Sequence, residues 1–77
     1  LRNRPITHVT YELELIGEGR EIVEEFTISF DSELYDSDRE STDSMAVNMK
    51  YIELKAIHGD DLVLFSFSVS RSESLIH

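Results

Sequence analysis

The sequence has no cysteine and no tryptophan, one proline and three glycines. Without cysteine there can be no disulfide staple, thiolate zinc site or cysteine nucleophile, and the chain suits a reducing compartment. Cations are also scarce: seven Lys and Arg stand against sixteen Asp and Glu, for a net charge of −9. Such a surface is unsuited to direct binding of DNA, RNA or anionic membrane. No apolar run approaches the ~18–20 residues that cross a bilayer, and no signal-peptide pattern is visible. The expectation is a soluble, cytoplasmic protein. The chain opens on Leu1, not Met, which leaves its native N-terminus open.

The acids are concentrated. Glu12 to Asp43 holds twelve of them against Arg20 and Arg39, a net charge of −10, while all other positions hold four acids and five bases, net +1. Seventy-seven residues make one small domain with a modest core, for which a second subunit would be a natural source of stability. Charged residues at 30% and hydrophobic ones at 40% are ordinary for a folded chain.

Leu1–Pro5 reads as a flexible, extended arm, because the residue before a proline disfavours helix. From Ile6 the residues alternate, with Val9, Tyr11, Leu13 and Leu15 on one parity and His8, Thr10, Glu12 and Glu14 on the other, the period of a strand. Gly17-Glu18-Gly19-Arg20 supplies a turn. A second alternating run follows, Ile22, Phe26, Ile28 and Phe30 opposite Val23, Glu25, Thr27 and Ser29. Glu24 falls on the apolar parity and predicts a bulge, fray or offset. Ser37-x-x-Glu40 fits a capping box, so a helix is expected from about Asp38, with Met45, Ala46 and Met49 lying on the sheet. Tyr51–Ile57 can continue that helix or alternate as a strand; the strand is the preferred reading. His58-Gly59-Asp60-Asp61 has turn chemistry. Val63, Phe65, Phe67 and Val69 against Ser66, Ser68 and Ser70 predict a last strand, and residues 71–77 a flexible tail. The expected fold is α+β: β-β-α-β-β, an antiparallel four-stranded sheet with one short helix, dimeric because one helix is too little cover for four strands.

Few residues suggest catalysis. Asp60-Asp61 sits in an expected exposed turn where nothing shifts a pKa, His8, His58 and His77 lack metal-ligand spacing, and the serines lack a nucleophile elbow. A calcium loop counted from Asp36 fails, with Ser41 where glycine is needed and Val47 where a bidentate glutamate is needed. No enzyme activity, cofactor or metal is expected. The acids offer more. Glu12 and Glu14 on one strand face stand about 6.8 Å apart, twice the ~3.4 Å rise, comparable with neighbouring phosphates of a DNA strand. Glu18, Glu21, Glu25, Asp31, Glu33, Asp36, Asp38, Glu40 and Asp43 continue the negative surface, although a solvated acidic face is the plainer explanation.

In size, acidity, lack of cysteine and expected layout, the chain resembles the small acidic DNA-mimic proteins of bacteriophages. Some of these are dimers directed at HU-type nucleoid proteins. The resemblance is one of general character across the whole chain and carries no residue over. It implies a non-enzymatic inhibitor in the host bacterial cytoplasm that binds a basic DNA-binding protein; the eleven carboxylates named above, read from the charge pattern, are the expected contacts. The alternative expectation is a small assembly module binding through apolar sheet surface or strand edges. Neutralising acids distinguishes the two.

Overall fold

The alternating runs do form a hairpin. In a computed structural model that describes residues 4–76, β1 (Arg4–Gly17) pairs antiparallel with β2 (Arg20–Asp31), from Ile6 opposite Asp31 to Gly17 opposite Arg20. The turn is the two residues Glu18-Gly19, with Gly19 at φ 67° in the left-handed region that costs glycine nothing. Thr7, Val9, Tyr11, Leu13 and Leu15 of β1 are all buried, and their partners Phe30, Ile28, Phe26, Glu24 and Ile22 share that face. The ladder has no bulge at Glu24; the side chain stays in register opposite Leu13 on a half-buried edge position. A long acidic side chain at an edge can reach water without disturbing the strand.

Two helices follow. Asp31 caps α1 (Ser32–Ser37), its carboxylate accepting from the amides of Glu33 and Leu34. Asp38, with φ −160° and ψ 65°, ends α1 and caps α2 (Arg39–His58), accepting from the Ser41 amide at 3.4 Å. The cap is thus Asp38, while Ser37 donates its hydroxyl to the Leu34 carbonyl. A helix of α2's twenty residues spans about 30 Å. The fourteen residues of β1 span about 46 Å. The break at Asp38 lets α1 turn and cover more of the longer sheet.

Residues 51–57 are helix, not strand: α2 runs on to His58 and closes at Gly59, whose N–H donates to the Lys55 carbonyl at 2.9 Å. The sheet therefore has three strands, in the order β2-β1-β3, and the element order is β-β-α-α-β. The helix is also rotated from the expected orientation. Asp43, Val47 and Leu54 face the sheet and are buried, while Met45 and Met49 are 62% and 66% exposed.

β3 (Val63–Ile76) pairs along the other side of β1. Arg71–Ile76 is strand, not a tail, and Arg4-Pro5 belongs to β1, not an arm; Leu1–Asn3 and His77 lie outside the described residues. The ladder steps from Glu14 opposite Ser66 to Leu15 opposite Leu64, leaving Phe65 as an extra, unpaired residue. This bulge reverses parity. Phe67 and Val69 keep the helix-facing side, but Val63 pairs with Ile16 on the other side, and Leu62 enters the core in its place.

The molecule is 52 × 18 × 18 Å, a long sheet with helices on one face. A polar clasp ties its hairpin end together. Asp61 pairs with Arg20 and accepts the Glu18 N–H at 2.9 Å, and Arg20 also donates to the His58 carbonyl at 2.6 Å. That arginine supplies a positive charge and donor to the end of α2. The Glu18 amide first, then Arg20, holds the Asp61 carboxyl below its ordinary value, contrary to the expectation of an unperturbed turn.

Candidate functional site

The face of the sheet opposite the helices bears no further layer among the described residues. Strand parity and register put Ile6, His8, Thr10, Glu12, Glu14 and Ile16 of β1 there. β2 adds Ser29, Thr27, Glu25, Val23 and Glu21, and β3 adds the alternate serines from Ser66 to Ser74. Its polar half is internally bonded. His8 bridges Ser29 and Ser74 at 2.8 Å each, and the Thr10 and Thr27 hydroxyls lie 2.9 Å apart.

Toward the hairpin this face turns acidic. Glu12 stands directly opposite Glu25, Glu14 is the next β1 residue of the same parity, and Glu21 lies opposite Ile16. Like charges directly opposite on a ladder destabilise it. No cation among the described residues relieves them: Arg4, Arg20, Arg39, Lys50 and Arg71 pair with Asp31, Asp61, Asp36, Glu53 and Asp43. Lys55, the remaining described cation, lies over the Tyr51 ring. Glu14 accepts only a long 3.4 Å hydrogen bond from Ser66 among the described side chains.

The other expected site residues are placed elsewhere. Glu18 is in the turn beside this face. Glu33, Asp36, Asp38 and Glu40 are exposed on the helical layer at the opposite end, where Asp36 pairs with Arg39 and Asp38 serves as a cap. Asp31 is bound to Arg4 and to the first amides of α1; its carboxyl is held low by Arg4 first and then by the Leu34 amide. The eleven carboxylates therefore do not form one row.

Asp43 is withdrawn from the surface altogether. Buried in α2, it accepts from the Tyr11 hydroxyl at 2.6 Å, the Tyr35 hydroxyl at 2.8 Å and an Arg71 Nη at 2.8 Å, while Arg71 Nε donates to the Tyr35 oxygen at 2.6 Å. Tyr11 stacks on Phe26 and Tyr35 on Phe30, each at 5.1 Å. Burial by itself would raise the Asp43 pKa, but hydrogen bonds from Tyr11, Tyr35 and Arg71 outweigh it and the carboxyl is held below its usual range. Burial, reinforced by Asp43, pushes the Tyr11 hydroxyl well above its ordinary pKa, and Tyr35 is raised mainly by burial. This network joins β1, the helices and β3. It is a brace that sequence reasoning missed. Arg71 shares the inward parity of Val69, and a lone arginine on an apolar parity was the available signal.

A second surface lies on the helix side, along the outer edge of β2. Ile28, Phe30, Leu34, Met45, Ala46 and Met49 line an apolar groove of about 380 Å³. Among the described residues no cluster of three or more His, Asp or Glu side chains fits a metal ion, and no helix is long and apolar enough to cross a membrane. Comparison with protein-family models, curated proteins and solved structures returned no match to the chain.

Proposed function

We propose that this chain is a non-enzymatic, acidic binding protein that occupies the cationic DNA-binding surface of another protein and competes with DNA for it. The supporting observation is the Glu12–Glu25 juxtaposition on a face without a second layer. The fold carries an electrostatic cost there that no described cation offsets, as expected where a surface is kept for binding. Glu14 and Glu21 extend the same patch. HU-type nucleoid proteins are the partner class proposed, and a phage origin belongs to this proposal through the resemblance in general character. A homodimer is proposed as well, formed at the β3 side, where Val63, Phe65 and Phe67 are at least half exposed.

The test is competition. A purified HU-type protein should bind the chain at low salt, release it near about 0.5 M salt, where screening is strong, and be displaced from it by duplex DNA. Binding that ignores both salt and DNA would refute the proposal.

The groove beside β2 favours a second reading, an assembly module that binds through apolar surface and a strand edge. That activity would survive replacement of Glu12 and Glu14 on β1 by glutamine.

A further inference from the structure

Among the described residues β2 has one neighbouring strand, so a row of its backbone groups faces outward along twelve residues. An unpaired strand edge is a template for another strand. The opposite edge is less suited, because the Phe65 bulge breaks the start of β3 and the depression beside its far end is lined by Thr7, Arg39, Arg71, Ser72 and Glu73, not by apolar side chains. Directly beside the β2 edge runs the apolar groove, in which Leu34, Met45 and Met49 are 73%, 62% and 66% exposed. A second depression of about 400 Å³ continues it along Phe26, Ile28, Ala46 and Met49 to Lys50 and Glu53.

Taking up the second reading above, we propose that this edge and groove receive an extended segment of another protein as a fourth strand, one that alternates apolar with basic residues. Main-chain bonds to a sheet edge give such a complex its affinity, and pockets for alternate side chains give its specificity. The apolar positions of the incoming strand lie beside Phe30, Ile28 and Phe26, over the groove. Further along, the strand meets Glu24 on the groove side and Glu25 and Glu21 on the other. Lys50, the cation at the groove, is already paired with Glu53 at 3.4 Å and lies over the Phe26 ring. The charge complementary to this site is therefore positive. A second copy of the chain fits poorly, since its own β2 brings Glu21, Glu24 and Glu25 to the same ladder. The inward-pointing Glu24 acts as a guard against self-pairing, and Glu25 and Glu21 on the other face are the contacts for the basic residues.

The probe is a blocked nonapeptide of alternating valine and lysine, with a block isomer of equal composition as control. At about 0.1 M salt, where simple charge attraction is partly screened, fluorescence anisotropy should show the alternating peptide binding about tenfold tighter. Met45→Gln together with Met49→Gln changes only exposed side chains and should weaken it by about tenfold. Amide exchange followed by NMR should slow at every second residue of β2. Equal binding of the block isomer, unchanged binding by the methionine variant, or protection on β3 instead of β2 would each overturn the proposal. So would a homodimer that the methionine substitutions dissolve, because a second copy would then be the occupant. The variant with glutamine at 12 and 14, both on the central strand β1, should still bind the peptide; an HU-type protein that does not bind the parent chain refutes the cationic-surface reading and leaves this one standing.

Discussion

Replacing Asp43 by asparagine keeps its shape and removes its charge, which isolates what the brace contributes. Three donors converge on the carboxylate, at 2.6 Å from Tyr11, 2.8 Å from Tyr35 and 2.8 Å from Arg71. A hydrogen bond to a charged group contributes about 1.5–3 kcal/mol and a neutral one about 0.5–1.5. Three bonds each losing about 1 kcal/mol give a destabilisation of about 3 kcal/mol. Arg71 is 38% exposed, so water takes up much of its lost pairing and the larger penalty of a fully buried orphan charge does not apply. A chain of this length has about 4–12 kcal/mol in all, so Asp43→Asn should remove a large share and lower Tm by about 12–24 °C. Tyr11→Phe removes one of the bonds and should cost about 1.5–3 kcal/mol. Because both variants break the same contact, the double variant should be less destabilised than the sum by about 1 kcal/mol or more. Urea and thermal unfolding followed by circular dichroism measure all three. A stability for Asp43→Asn within about 0.5 kcal/mol of the parent, or strict additivity, would refute the brace.

Further expectations concern pH, turns and packing. Asp31, Asp43 and Asp61 have folded pKa values below the unfolded ones, so their contribution is present above about pH 4 and is lost as pH falls through the folded values. Tyr11 and Tyr35 are raised, so theirs is present below about pH 10 and is lost as pH rises above it; Tm measured across pH should fall at both ends. Gly59 has φ 136°, and a Cβ there would meet Arg20 Nη2 at 2.5 Å, whereas a Cβ on Gly19 would meet nothing within 4 Å. Alanine at Gly59 should therefore cost clearly more than the about 1–2 kcal/mol expected at Gly19 for a left-handed residue, as denaturant midpoints will show. Leu54→Ala should cost about 2–4 kcal/mol, while glutamine at Met45 and Met49 should stay within about 0.5 kcal/mol; the reverse order would restore the expected methionine-inward orientation of the helix.

The hairpin was legible because its two runs alternate over their whole length and a two-residue turn joins them. The helix was misread for a physical reason. Its inward stripe is Asp43, Val47, Tyr51 and Leu54, in which a charged residue conceals the apolar spacing, and Tyr51–Ile57 also satisfies a period of two. Lys55 and His58 in a last turn followed by Gly59 were the signals for a helix end there. The Phe65 bulge left no trace in the pattern, since Val63, Phe65, Phe67 and Val69 alternate perfectly. For the acids, parity was sufficient on β1 and β2 and uninformative beyond Asp31. Glu12, Glu14, Glu21 and Glu25 share a face as strand geometry requires, whereas the burial of Asp43 depends on Tyr11 and Arg71, thirty-two and twenty-eight positions away.

The most direct test of the account compares stability with binding in the Glu12→Gln, Glu25→Gln double variant. If those carboxylates are opposed on the ladder for the sake of a partner, neutralising them should raise stability by about 0.2–1 kcal/mol and at the same time weaken binding to an HU-type protein and flatten its salt dependence. A variant that is no more stable than the parent and binds the cationic partner as tightly, with the same salt dependence, would contradict it.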